Sequence, residues 1–237
     1  MRRYRMVRAP GEGCGRGCLI FIGVVGGLLV LLMAASFIVP RFLPAGGGGG
    51  GQPARFEIGE AVSKQIISLT IKGGGGIEYL EASATLGRQA RVRPPVTIFI
   101  QPGTLFEPAS PHAQSMVATM LTEVILSEKG EEREFEIPAA CANMHLGTPG
   151  SFEVFSISTQ PMAGDLQKLV SLPDFKSAGF RVRQFAVWTI TDDPARDHYM
   201  GIGSFGSGSG PNPVNFETIR ALFVKAGIDP SKYQAFR

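Results

Sequence analysis

Residues 19–39, LIFIGVVGGLLVLLMAASFIV, contain no charge and no proline. As a helix rising about 1.5 Å per residue, this run matches the hydrocarbon core of a bilayer, about 30 Å. The segment is expected to be a single transmembrane helix. Everything after it must then fold on one side of a membrane while tied to it. A cleaved signal peptide is the alternative, with Ala34-Ala35-Ser36 as a small-residue cleavage site. The apolar run is longer than the roughly 7–15 residues usual there, which favours a retained anchor.

Charge sets the expected orientation. Arg2, Arg3, Arg5, Arg8 and Arg16 precede the apolar run against Glu12 alone, and only Arg41 lies close behind it. The positive-inside rule puts 1–18 in the cytoplasm and the C-terminal part outside. Of the 23 Lys and Arg and 20 Asp and Glu in the chain, 18 basic and 19 acidic side chains lie beyond 39. The outer part is therefore near neutral. It lacks the basic balance that nucleic-acid binding requires, and the expected partners are the membrane, through 19–39, and a surface or protein ligand.

The three cysteines divide the same way. Cys14 and Cys18 sit in GCGRGC before the apolar run, where a juxtamembrane thiol open to acylation is the simplest reading. Cys141 is the only cysteine beyond it, so it has no intrachain disulfide partner on its own side. Pro40, Pro44, the glycines 46–51 and Pro53 make 40–53 a tether. The domain that remains is 54–237, a size suited to one core.

The first half of that domain reads as strands. Segments 66–72 and 77–86 flank the glycines 73–76 with two-residue apolar spacing, which predicts a hairpin. VTIFI at 96–100 ends at Pro102-Gly103. Segment 116–126 leads through Glu128-Lys129-Gly130 into EEREFEI, where Phe135 and Ile137 alternate with Glu132, Glu134 and Glu136. SFEVFSIS at 151–158 alternates again. The last third carries helix signals. Asp165 is placed to cap a helix bearing Leu166, Leu169 and Val170 that stops at Pro173. Asn215 is placed to cap one with Ile219, Leu222 and Phe223 inward and Gly227 at its end. FRVRQFAVWTIT at 180–191 suits either a strand or a helix. Read as a strand, it puts Phe180, Val182, Gln184, Ala186, Trp188 and Ile190 on one face. The expected fold is α+β: a mainly antiparallel β-sandwich or barrel with short C-terminal helices, preceded by the transmembrane helix.

Most chemical motifs are empty on inspection. Gly201, Gly203 and Gly206 satisfy G-x-G-x-x-G, but SGSGPNP follows where a dinucleotide fold needs a helix. Asp192, Asp193 and Asp197 lack the alternation of a calcium loop, and Asp193 before Pro194 reads as a helix cap. Cys141 with His145, His198 and Asp197 is a poor zinc set, and His112 stands apart. No metal and no cofactor is expected. No nucleophile turn surrounds Cys141, so a cysteine hydrolase has little to build on.

One pairing is chemically richer. Cys141 ends a predicted strand in IPAACANMHLG, and Gln184 is the lone polar member of an apolar face. A buried thiol beside a primary amide can expel ammonia and leave an internal thioester, a bond used once for covalent capture. Such a bond needs burial and an aromatic shield, for which Phe185 and Trp188 are placed.

RQFAVW resembles the T-Q-x-A-aliphatic-W motif of bacterial surface thioester domains, through Gln184, Ala186, Val187 and Trp188. Those are anchored adhesin modules in which the glutamine is linked to an upstream cysteine, here Cys141 by implication. Arg183 stands where the family has threonine, and Ala140 where a large apolar residue precedes the cysteine. The resemblance implies a membrane-tethered, extracytoplasmic binding or adhesion module with Cys141 and Gln184 as a thioester pair. The alternative function class is an exported cysteine- or metal-dependent hydrolase. Scarcity of histidine, three in the chain, weighs against it.

Overall fold

The computed structural model describes residues 53–76, 78–160, 164–201 and 215–237. The apolar run 19–39, Cys14, Cys18, nearly all of the tether and the GIGSFG glycines after Gly201 lie outside the described residues. Among the described residues no helix is long and apolar enough to cross a membrane.

The domain is α+β. Nine strands and six α-helices are described, with two short 3-10 turns at the C-terminus. Strands β2 (Ile67–Gly73), β3 (Tyr79–Leu86), β5 (Leu105–Pro108), β6 (Met116–Ala118), β8 (Glu132–Cys141) and β9 (Val154–Ile157) close a barrel in the order β2-β3-β8-β6-β5-β9. The pairs of this barrel are antiparallel. The closed barrel, not a sandwich, is thus the form taken. Strands β1 (Ala54–Glu57), β4 (Val96–Ile100) and β7 (Thr122–Leu126) make a separate sheet, with β1 parallel to β4 and β7 antiparallel to it.

Two-residue periodicity explains the barrel wall. On β3, Leu80, Ala82, Ala84 and Leu86 are buried while Glu81 is exposed. Across the ladder, Ile137 faces Leu80 and Glu136 faces Glu81, so the glutamates of β8 stand in water. The predicted hairpin is present, with Ile67 opposite Leu86. The glycines between its strands meet a spatial need at Gly73, where an added Cβ would lie 2.2 Å from the Gly150 carbonyl oxygen. No side chain fits that approach.

The structure corrects the expected cap at Asp165 and decides what the sequence leaves open at 116–126 and 180–191. Segment 116–126 is two strands, and β7 pairs with β4 of the small sheet instead of with β8, so the turn at Gly130 (φ +82°) carries the chain from sheet to barrel. Asp165 lies within the first turn of α2 (Gly164–Ser171), not at its cap, and its carboxylate accepts from Lys168 Nζ and Tyr233 Oη. Segment 180–191 is a helix, α4 (Phe180–Thr191). It has six consecutive buried residues, Gln184 to Thr189, because barrel and helices enclose it on several sides. Encirclement erases the one-sided pattern by which a surface helix is recognised.

The early helix α1 (Ile58–Ser63) went unpredicted; the Glu57 carboxylate caps it by accepting from the Gly59 and Glu60 amides. Helix α3 (Pro173–Ser177) begins at the proline expected to stop α2. After α5 (Arg196–Gly201) comes α6 (Phe216–Lys225), built as expected. Asn215 Oδ1 accepts from the Thr218 amide at 3.0 Å, and Gly227 follows at φ +68°.

Candidate functional site: the Cys141–Gln184 contact

Strand β3 stops pairing with β8 at Pro138. Beyond that point the edge of β8 that β3 would have covered needs other partners, because buried backbone groups left bare are costly. At Cys141 the partner is a side chain. The Cys141 amide donates to Gln184 Oε1 at 2.8 Å, and Gln184 Nε2 donates to the Cys141 carbonyl at 2.7 Å. One carboxamide thus does for Cys141 what a neighbouring strand would do. Helix α4 brings it there, and neither residue has more than 1 % of its surface exposed.

The thiol points elsewhere. Cys141 is opposite Met116 in the ladder, and its Sγ donates to Met116 Sδ at 3.4 Å. Burial pushes the Cys141 thiol up to about 12, so it is protonated at neutral pH. Among the described residues no histidine or carboxylate hydrogen-bonds to it. Among the described residues, then, none hydrogen-bonds to the thiol as the base of a hydrolase-type nucleophile would.

The aromatic residues singled out from the sequence are both buried on α4. Phe185 and Trp188 meet edge to face, ring centres 5.6 Å apart, and Phe185 meets Tyr199 of α5 in the same way at 5.0 Å. Trp188 stands one helical turn beyond Gln184, on the same side of α4. Arg183, the residue in the threonine position of the resemblance, turns away from the pair. Its guanidinium donates to the carbonyls of Lys176 and Ala178 and so fastens the turn between α3 and α4.

The structure adds a second clamp. Asp192 follows α4, and its Oδ1 accepts from the Met144 amide at 3.0 Å and lies 3.3 Å from His145 Nδ1. The loop that follows Cys141 is therefore pinned to the end of the helix that carries Gln184. No sequence pattern marks this contact, because 48 residues separate its partners. Met116 was likewise invisible as a neighbour of the thiol.

The remaining candidates separate in space. Asp193 does not cap α5, which starts at Arg196; it adopts φ +45°, and its carboxylate accepts from the Gln234 amide and side chain. That bond to the C-terminal tail explains the left-handed backbone. His198 lies 3.5 Å from Asp197, not beside Cys141 or His145. His112 hydrogen-bonds through its backbone amide to Ser110 Oγ. Among the described residues no group of three His, Cys, Asp or Glu could hold a metal ion.

Tyr199 supplies a pH prediction. Its hydroxyl meets Thr189 Oγ1 at 2.7 Å, and burial raises it above the ordinary value of 10.0. Tyr233 is pushed up to about 12, by burial first and then by its bond to Asp165. Both phenols ionise sooner in the unfolded chain. Their stabilisation is complete below about pH 10 and is lost as pH rises through the folded values. Denaturation midpoints should therefore fall steeply above pH 10, and Tyr199→Phe should flatten that slope. An unchanged slope in the variant would contradict the assignment.

No family model matches the chain, and neither a curated protein nor a solved structure matches it.

Proposed function

We propose that the chain is a membrane-tethered binding module whose domain 54–237 lies outside the cytoplasm, with Cys141 and Gln184 as a covalent-capture pair. The anchor is 19–39, and 40–53 is the tether. The observation that carries the reading is the Gln184 carboxamide hydrogen-bonded at both ends to the backbone of Cys141, with water excluded.

The chemistry follows from that contact. Cys141 Sγ leaves Met116 Sδ by rotation about its side chain and adds to Gln184 Cδ. The S–C bond forms, the C–N bond breaks, and the thiol proton leaves with the amide nitrogen as ammonia. Charge develops on Oε1 during the addition, and the Cys141 amide already donates to that atom. Holding sulfur and carbon on neighbouring elements removes most of the entropic cost of bringing them together. Burial then protects the thioester from hydrolysis. A target amine or hydroxyl takes the acyl group in a single event and frees the thiol.

Mass spectrometry of the intact chain tests this. The wild type should weigh one ammonia less than its sequence. Methylamine should add one methylamine to Gln184 and release a thiol that alkylates on unfolding. Cys141→Ala and Gln184→Ala should each show full mass. A wild type at full mass, with Cys141 alkylating once unfolded and no methylamine adduct, would refute the thioester. Topology is tested separately: external protease should spare 1–18 and reach 54–237 in intact cells.

A further inference from the structure

The barrel is closed by a short seam between β2 and β9. Strands β2 and β9 pair only at Ile71 with Phe155 and at Lys72 with Val154. Next to these, the Gly73 amide donates to the Glu153 carbonyl at 2.9 Å, and the close approach of Gly73 to Gly150 holds that end shut. Continued in register, the ladder would set Thr70 against Ser156 and Leu69 against Ile157. Those pairs do not form. Each strand keeps its other neighbour over this stretch, β2 pairing with β3 from Ile67 and β9 with β5 to Ile157. The two strands therefore diverge with one edge each unpaired.

A cleft of 770 Å³ occupies the divergence, within the size range of ligand sites. Leu69, Ile71, Phe155 and Ile157 form its apolar floor, and Val62 of α1 stands at its side. Its polar lining is of amides and hydroxyls, including Gln101, Gln160 and Ser156. Among the described residues no Lys, Arg or His lines it, and the one carboxylate among them, Glu57, is already engaged in capping α1.

We infer that this seam is a non-covalent binding site for an extended, uncharged peptide strand with apolar residues at alternate positions. Two-residue periodicity from the Gly73–Glu153 bond turns the backbone groups of Leu69 and Ile157 toward the gap. An inserted strand would pair with both, and its alternate side chains would rest on the apolar floor. Strand addition at an unpaired edge obtains affinity from main-chain hydrogen bonds and specificity from the side-chain positions. Exposed edges are normally blocked by charge or proline, and neither guards Leu69 or Ile157 here. With no cation among the described lining residues, a phosphate or carboxylate ligand finds no charge there to pair with. The site stands apart from Cys141 and Gln184, neither of which lines it.

The test pans the full-length chain, in detergent micelles, against random heptapeptides displayed on phage. Enriched sequences should carry Val, Ile, Phe or Thr at alternate positions and exclude proline. A synthetic copy of an enriched peptide should lose at least tenfold in affinity when alternate amides are N-methylated. It should lose as much against Val62→Arg, a change at a half-exposed position that spares the fold. Hydrogen exchange at the Leu69 and Ile157 amides should slow at least tenfold on binding. Cys141→Ala should bind the peptide as the wild type does, even if the thioester is absent. Four results would overturn the inference: no enrichment above a library with proline at alternate positions, equal binding by Val62→Arg, unprotected Leu69 and Ile157 amides, or displacement of the peptide by maltoheptaose.

Discussion

Gln184→Ala should destabilise the domain by about 4 kcal/mol relative to the wild type in its carboxamide form, because it strands two buried backbone groups at once. The Cys141 amide and carbonyl would each lose their bond to the carboxamide in a place water does not reach. An orphaned buried polar group costs about 1–3 kcal/mol, and truncating a packed side chain adds a cavity. Gln184→Met separates the two contributions. It nearly keeps the volume and removes only the hydrogen bonds, so about 3 kcal/mol of the loss should persist. The measurement is the urea midpoint at constant slope. A loss below about 1 kcal/mol in both variants would mean that Cys141 finds other partners and that the carboxamide is not what joins α4 to β8.

Phe223→Ala should cost about as much, for a different reason. Phe223 is fully buried on α6 and meets the rings of Tyr233 and Phe236 edge to face at 5.3 and 5.4 Å. Removing a buried phenyl ring costs about 3–5 kcal/mol, and each aromatic contact contributes up to about 1.5 kcal/mol of such losses. Apart from the buried methyl of Ala235, the tail from Pro230 to Arg237 is otherwise attached by polar bonds, from Tyr233 Oη to Asp165 and from Gln234 to Asp193. It should therefore loosen first, and carboxypeptidase should trim the variant faster than the wild type. Val224→Ala, one residue on and 62 % exposed, should change stability by less than about 0.5 kcal/mol. Equal effects from the two substitutions would refute the packing argument.

Both predictions turn on contacts between residues far apart in the chain, and that is where reading the sequence stops. Alternation was enough for β2, β3 and the outer face of β8, because each of these barrel strands has one wet and one dry side, while β4, in the small sheet, was marked by a short apolar run that is almost wholly buried. Local capping chemistry was enough for α6, whose start at Asn215 and end at Gly227 depend on a few adjacent residues. The α+β class followed from these elements.

Strand partners did not follow. Segment 116–126 carries the same β-forming residues whether it pairs with β8 or divides between barrel and small sheet. The choice depends on what else competes for each edge. Nor did 180–191 declare itself a helix, since full enclosure removes the polar face that gives a helix its period. The candidate site divides along the same line. The sequence by itself determined that Cys141 has no disulfide partner beyond the apolar run and that Gln184 is a polar residue among apolar ones. Only the tertiary structure decided that the two meet. The meeting occurs because the pairing of β3 with β8 reaches only as far as Tyr79 opposite Pro138, which leaves an edge of β8 that α4 is placed to cover. That edge is a property of how strands of unequal length are assembled, and no single segment contains it.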